Sequence, residues 1–245
     1  MEIYAKDFFL PKRGNTEAEY DDSFSSAKDK TRFAVADGAT EASFSREWAK
    51  QLVRAFTAKK LSIPIALDEL KPLQSKWQKF VHRHPLPWYA EEKANTGAFA
   101  AFVGVEFLED AQESLKIWRA TAVGDSCLVQ VRANEVIEAF PLAHSTSFGN
   151  RPNLLSSTPN SNESIAEFVM QCGGFWRCED AFFLMTDALA CWFFQELEQG
   201  NKPWTILRDL DTQGSVSFQK FIDDLRFEGR IKNDDATLMR IDIMP

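Results

Sequence analysis

The segment RFAVADGATEASFSREWA, residues 32 to 49, joins two patterns of different period. Large and small apolar residues alternate over residues 33 to 36, which predicts a β-strand that enters a hydrophobic core. This pattern stops at Asp37-Gly38, and apolar residues at helical spacing follow. A carboxylate is costly to bury without a partner, so Asp37 is the first candidate for a functional residue.

The composition is that of a globular protein. The chain has 245 residues, of which 44% are hydrophobic and 13% aromatic, and we expect one domain over residues 1–245. Its net charge is -8 and its Lys and Arg residues form no cluster, which argues against nucleic acid as a partner. No stretch resembles a membrane span or an export signal, so we expect a cytoplasmic protein that does not bind membranes.

The cysteines do not form a recognisable metal site. Without an export signal, free buried thiols are the expected state. No Cys-x-x-Cys pair or pair of His residues accompanies them, so a structural zinc is excluded. The four positions are Cys127, Cys172, Cys178 and Cys191.

Hydrophobic periodicity predicts the order of strands and helices. Residues 2–9 form a first strand, and two amphipathic helices follow Asp37-Gly38. From residue 97 the period changes to two, and an antiparallel meander is expected up to residue 140, with a turn at Gly124-Asp125-Ser126. This order suits sheets covered by helices rather than a doubly wound parallel sheet.

The last third of the chain repeats the opening pattern. Residues 181 to 187, AFFLMTD, predict a strand that ends in a carboxylate and leads into a helix stopped by Gly200. Ser215 is expected to cap a last helix, and ATLMRIDI predicts a final strand. The polar segment at residues 141–165 is too long for an ordinary connection, which indicates a functional loop.

Aspartates recur where predicted strands meet polar segments. Such anions repel one another unless a cation holds them together, and oxygen ligands without His or Cys suit Mg²⁺ or Mn²⁺. The alternative for any one of them is a turn or helix-capping residue, as at Asp187 before its helix. These junctions hold Asp21-Asp22, Asp37, Asp187 and Asp234-Asp235.

An ordered set of motifs resembles the metal-dependent type 2C (PPM) serine/threonine protein phosphatases over nearly the whole chain. The motifs are YDDSF, FAVADG, NTGAFAAFVGVEF, AVGDSCLVQV, AFFLMTD and NDDATLMRI. The resemblance implies an α+β fold, a four-layer α/β/β/α sandwich of two antiparallel sheets flanked by helices. It also implies a centre of two Mg²⁺ or Mn²⁺ ions, with a third in some relatives.

The resemblance assigns roles to individual residues. Asp37 is similar to the carboxylate that bridges both metals, and the carbonyl of Gly38 to a further ligand. Metal-activated water then attacks phosphoserine or phosphothreonine in a protein. The remaining implied metal ligands are Asp22, Asp187 and Asp234, with Asp21 and Asp125 as additional candidates.

The sequence departs from the family near these positions. Ala39 stands where some members have a His proposed to protonate the leaving group, and Asp235 stands where Asn is usual. Arg13 is the candidate for the phosphate-binding Arg, although it lies farther from the acidic pair than in the family; a solvated loop charge is its alternative. His82 and His84 fit the end of a helix.

Three hypotheses therefore remain open. The first is a phosphatase whose partners are a phosphoprotein substrate and a cognate Ser/Thr kinase. The second is a pseudophosphatase that binds a phosphoprotein or a kinase, motivated by the altered GATEAS stretch at residues 38–43. The third is a metal-dependent hydrolase of small phosphoric esters. In the first case, residues 144–165 are expected to influence substrate choice, and the pair His144-Ser145 within them to have a structural or substrate-side role.

Overall fold

A computed structural model describes residues 2–39, 44–83, 96–110, 115–149, 151–162, 165–210 and 215–245. The chain divides into two compact units, each assembled from segments distant in sequence. The first unit comprises Met1–Tyr20, Asp125–Arg151 and Arg177–Pro245, and the second comprises Asp21–Gly124 and Pro152–Trp176. One domain over residues 1–245 stays a prediction.

The first unit contains a five-stranded antiparallel sheet in the order β1-β11-β10-β6-β7. Its strands are β1 (Glu2–Leu10), β6 (Cys127–Arg132), β7 (Glu135–Phe140), β10 (Ala181–Met185) and β11 (Ala236–Met244). Three helices belong to the same unit. They are α3 (Asp187–Glu198), α4 (Pro203–Asp209) and α5 (Ser215–Phe227).

Aromatic side chains dominate the core of this unit. All five residues of β10 are buried, which accounts for its uninterrupted apolar sequence AFFLM. Phe183 of β10 packs near Phe193 of α3, and Phe8 of β1 near Phe218 of α5. Buried aliphatic residues from the sheet and the helices fill the remaining space: Val129, Val131, Leu189, Leu207, Ile222 and Leu238.

A buried ionic network joins β6 to the residue preceding β10. The Asp180 side chain is fully buried and accepts hydrogen bonds from the Arg132 guanidinium, two at 2.7 Å each. It also accepts one from the Gln130 amide at 2.9 Å and one from the Arg177 backbone N–H at 3.0 Å. Four donors offset the cost of removing this carboxylate from water.

We expect Asp180→Ala to lower the free energy of unfolding by about 3 kcal/mol, because the mutation leaves a largely buried guanidinium without its carboxylate. Urea denaturation measures the change. The control is Asp29→Ala, which removes an exposed carboxylate that pairs with Lys59 at 3.0 Å and accepts hydrogen bonds from Thr31. Because these contacts are exposed to solvent, the control should cost less than Asp180→Ala. Equal losses in the two variants would contradict a stabilising role for the buried network.

The second unit contains an antiparallel sheet in the order β2-β3-β4-β5-β9, and β8 pairs with β4. The strands are β2 (Ser23–Ser26), β3 (Arg32–Gly38), β4 (Phe99–Asp110), β5 (Leu115–Val123), β8 (Leu155–Ser156) and β9 (Met170–Phe175). Among the described residues of this unit, the long helices are α1 (Ser45–Thr57) and α2 (Lys71–His82). Trp48 and Phe56 of α1 and Trp77 of α2 are buried in one core with Phe102 of β4.

The observed elements confirm most of the predicted order, including the first strand, the two helices after Asp37-Gly38 and the final strand. The predicted meander is wrong at Gly124-Asp125-Ser126, because β5 pairs with β4 and β9 whereas β6 pairs with β7 and β10. The chain changes sheets there. Gly124 has a φ of +94°, and an added Cβ would lie 2.7 Å from the Ala101 side chain, so both conformation and space favour glycine.

The four cysteines are free, although only Cys127 is fully buried. Within the described ranges, no helix combines the length and the apolar character that a membrane crossing requires. In residues 141–149, 151–162 and 165, the described part of the long polar segment, regular structure is limited to short 3-10 turns and β8. The last helix, Ser215–Phe227, includes Ser215 as its first residue, whereas a capping residue would precede the helix. The Ser215 side chain lies outside what the structure describes, so its capping role stays a prediction.

Candidate metal centre

Asp37 lies one residue before the end of β3. The five preceding residues of this strand are buried and Asp37 is half-buried, and the strand pairs Asp37 with Ala101 of β4. The carboxylate thus stands where a rigid, fully packed strand reaches the surface. This position explains how the strand can end in a charge without burying it.

Gly38 lies against the acidic pair. A Cβ added to Gly38 would lie 2.6 Å from the backbone oxygen of Asp21 and 2.9 Å from the carbonyl carbon of Ser45, so only glycine fits. The Ser45 hydroxyl, at the first residue of α1, donates a 2.8 Å hydrogen bond to Oδ1 of Asp21. Asp22 is buried, with 1% of its surface exposed. The second unit therefore brings Asp21, Gly38 and Ser45 into close contact.

Gly38→Ala should lower the free energy of unfolding by more than about 2 kcal/mol, because two backbone segments must move to admit the methyl group. Gly149→Ala is a matched control, since an added Cβ at Gly149 would meet nothing within 4 Å. Thermal or urea denaturation of both variants measures the difference. An unchanged stability of Gly38→Ala would contradict the tight packing of Gly38.

The first unit gathers the other three candidate aspartates at one edge of its sheet. Met185, the last residue of β10, pairs with Leu238 near the start of β11 and with Cys127 at the start of β6. Antiparallel pairing therefore brings together the segment after β10 and the segments before β11 and β6. These segments carry Asp187, Asp234 and Asp125, respectively.

The pKa values at this edge reflect burial and mutual repulsion. Burial, followed by the charge of Asp187, raises the pKa of Asp125 to about 7. Burial also raises the pKa of Asp187, against the opposing effect of Lys232. Asp187 is the first residue of α3, and its Oδ1 accepts a hydrogen bond from the backbone N–H of Ala188 at 2.6 Å. Thr186, not Asp187, occupies the helix-capping position.

A cation from the chain itself contacts two of these carboxylates. Nζ of Lys232 lies 2.6 Å from Oδ2 of Asp234 and 3.5 Å from Oδ2 of Asp187. Burial lowers the pKa of Lys232, but the hydrogen bond to Asp234 and the two negative charges outweigh that effect and raise it above its usual value. Lys232 could not be predicted from the sequence, because a lone lysine in a polar loop belongs to no recognisable motif.

The donor chemistry of these residues fits Mg²⁺ or Mn²⁺. The side chains supply carboxylate oxygens, the ligands that these hard cations prefer, and burial raises the pKa values of Asp125 and Asp187. The residues that the structure describes nevertheless contain no group of three or more His, Cys, Asp or Glu side chains placed to hold an ion. The acidic edge is thus suited to a hard cation without forming a preassembled coordination shell.

Arg13 belongs to a loop that is fastened to the segment carrying Asp234. The backbone N–H of Arg13 donates to Oδ1 of Asn233 at 2.8 Å, and the Asn233 amide donates back to the Arg13 carbonyl at 3.3 Å. The buried guanidinium of Arg226, on α5, donates to the carbonyls of Pro11 (3.0 Å) and Asp234 (2.6 Å). The loop is therefore fixed beside Asp234, while the Arg13 side chain is exposed.

Asp235 completes this attachment. Its Oδ1 accepts a 2.8 Å hydrogen bond from the backbone N–H of Lys12, and the residue is only 5% exposed. Asp235 therefore has a structural partner on the Arg13 loop. The contributions of Arg226 and Asn233 could not be predicted from the sequence. Their contacts with the Arg13 loop join residues about 220 positions apart, and no local pattern connects such residues.

Asp235→Ala should lower the free energy of unfolding by about 1–2 kcal/mol, because it leaves the Lys12 N–H without its acceptor. Asp235→Asn keeps an acceptor oxygen of the same shape and should remain within about 0.5 kcal/mol of the native protein. Chemical denaturation compares the three proteins. A larger loss for Asp235→Asn than for Asp235→Ala would be inconsistent with the hydrogen-bonding role.

The histidines that the structure describes lie at the ends of helices or on the surface. His82 is the last residue of α2, as expected, and its Nδ1 lies 2.6 Å from the Gln78 carbonyl oxygen. His144 is mostly exposed, whereas the neighbouring Ser145 donates its backbone N–H to Glu198 at the end of α3 at 2.9 Å. Ala39 is described, but Thr40–Ser43 of the GATEAS stretch and His84 lie outside the described residues.

No protein-family model matches the sequence, and no curated protein matches it. Solved structures do match it. The serine/threonine phosphatase PstP/Ppp of Mycobacterium tuberculosis has a TM-score of 0.61 at 15% identity, and the match covers 99% of each chain. The catalytic domain of PstP in complex with 2 manganese ions has a TM-score of 0.58 at 15% identity over 100% of each chain.

A third solved structure agrees with these two. The PPM Ser-Thr phosphatase MsPP of Mycobacterium smegmatis, in complex with cacodylate, has a TM-score of 0.56 at 14% identity over 98% of each chain. The chain thus has the fold of the PPM serine/threonine phosphatases, an α+β fold of two antiparallel sheets flanked by helices. The resemblance seen in the sequence motifs is confirmed at the level of the fold.

Proposed function

We propose that the protein is a cytoplasmic, Mg²⁺- or Mn²⁺-dependent phosphatase that hydrolyses phosphoserine and phosphothreonine in proteins. One observation carries the proposal: in a chain with the fold of these phosphatases, strand pairing gathers Asp125, Asp187 and Asp234 at one sheet edge. The manganese complex of the PstP catalytic domain supports the choice of metal.

Different structural elements hold the candidate metal ligands in place. Asp37 is presented by the end of β3, and close packing with Asp21 and Ser45 excludes a side chain at Gly38, leaving its backbone as the group available for a carbonyl ligand. The proposed ligands are Asp22, Asp37, Gly38, Asp187 and Asp234, with Asp21 and Asp125 as additional candidates. When bound, a pair of divalent ions supplies a water-derived nucleophile and offsets charge on the phosphoryl oxygens.

The chain's own residues would position the substrate. Arg13 is exposed on a loop whose backbone is fixed to Asn233, beside Asp234, so its guanidinium is suited to bind a phosphate in a bidentate manner. Ala39 cannot donate a proton to the leaving group, and we propose that water does so. The phosphoprotein substrate and a cognate Ser/Thr kinase are the proposed partners.

A second candidate function has a specific observation in its favour. Lys232 contacts both Asp187 and Asp234, and the described part of the chain lacks a preassembled metal cluster. A pseudophosphatase that binds a phosphoprotein or a kinase would tolerate the Lys232 ion pairs, because it binds its partner through the protein surface and requires no metal ion for catalysis.

Hydrolysis of para-nitrophenyl phosphate with and without Mn²⁺ tests the proposal. We expect Mn²⁺-dependent turnover in the native protein and a loss of at least about 100-fold in Asp37→Asn, since changes even in residues that support metal ligands cost 10- to 100-fold. Asp29→Asn removes another carboxylate, one on an exposed turn paired with Lys59, and should leave the rate unchanged.

The possible results separate the hypotheses. No Mn²⁺-dependent turnover in the native protein favours the binding function, and full activity in Asp37→Asn refutes the assignment of Asp37. Hydrolysis of small esters but not of phosphoserine peptides would indicate a small-molecule hydrolase. Exchange of residues 144–165 without a change in peptide preference would remove that segment from substrate choice.

A further inference from the structure

Lys232 lies on the loop between α5 and β11, two residues before Asp234. Its ammonium bridges the carboxylates of Asp234, at 2.6 Å, and Asp187, at 3.5 Å. The Lys232 side chain is 65% exposed, whereas those of Asp187 and Asp234 are 18% and 25% exposed. A solvated cation thus contacts two largely buried anions.

The ammonium uses oxygens that a divalent ion would need. A Mg²⁺ or Mn²⁺ ion bound by Oδ2 of Asp187 and Oδ2 of Asp234 would come close to the position of Nζ, and two cations cannot share these oxygens without strong repulsion. Metal binding at these two residues therefore requires the ammonium to move away. Because the lysine stem is flexible and largely in solvent, the ion pair is weak enough for a divalent ion to displace it.

We infer that Lys232 is an internal counter-ion that offsets part of the negative charge of the acidic edge in the metal-free protein and lowers the affinity of this edge for divalent metal. This inference rests on the proposed function, because it takes Asp187 and Asp234 as metal ligands. The lysine stabilises the metal-free fold, in which Asp125, Asp187 and Asp234 would otherwise repel one another. Because of the same contacts, a divalent metal ion must compete with the Lys232 ammonium for the two carboxylates.

Calorimetric titration of the EDTA-stripped full chain with Mn²⁺ tests the inference. Lys232→Met keeps the length of the side chain and removes its charge, so Mn²⁺ should bind about three- to tenfold more tightly, as expected for removal of a cation that pairs with two carboxylates. Lys232→Arg keeps the charge and should stay within about twofold of the native affinity. Lys220→Met removes an exposed charge from α5 and controls for net charge.

Thermal unfolding provides a second readout that does not depend on activity. Without metal, Lys232→Met should unfold at a lower temperature than the native protein, and Mn²⁺ should raise its unfolding temperature by more. A native-like unfolding temperature together with unchanged or weaker Mn²⁺ binding in Lys232→Met would overturn the inference. The same holds if Lys220→Met reproduces the gain in affinity.

The outcomes also distinguish this inference from the proposed function. If all proteins bind Mn²⁺ equally and hydrolyse para-nitrophenyl phosphate, the counter-ion role is refuted while the phosphatase proposal stands. If Lys232→Met binds Mn²⁺ and the native protein does not, the counter-ion role is supported and the binding function is favoured. If no variant binds Mn²⁺, both proposals fail.

Discussion

The register of β10 between β6 and β11 is the constraint on which the first unit depends. A slip of one residue in a strand exchanges the two faces of its side chains, and in this sheet it would disturb the packing of Phe183 against α3. The apolar core thus determines where the three neighbouring loops lie. Asp125, Asp187 and Asp234 meet because of strand pairing, against their own repulsion.

Bringing these carboxylates together is energetically unfavourable, and the rest of the fold must offset that free energy. The pKa of Asp125 rises to about 7 because burial and the charge of Asp187 both disfavour its ionised form. Functional residues commonly reduce the stability of a folded protein, and favourable interactions elsewhere in the structure offset the loss. Here the compensation comes from buried aromatic packing and from the Asp180 network, which satisfies its own carboxylate with four donors.

Local patterns in the sequence were sufficient to predict the long elements and the aspartates at strand ends. They were insufficient for α4, a helix of seven residues that begins with Pro203, and for β9, in which Gly173-Gly174 weaken the strand pattern. The meander was wrong because a glycine turn looks the same whether it joins paired strands or leads to another sheet. The contacts of Lys232 and Arg226 could not be predicted from local patterns, because folding brings their partners close from other parts of the sequence.

The pairing of β1 with β11 has a consequence for how the protein is made. Residues 2–10 pair along their whole length with residues 236–244, and the Lys12–Asp235 hydrogen bond spans 223 positions. During synthesis β1 leaves the ribosome long before β11 has been made. Until then, the backbone groups of β1 that pair with β11 lack this partner. The loop bearing Arg13 can reach its final position only after Asp235 has left the ribosome. Assembly of the candidate site is therefore a late event in folding.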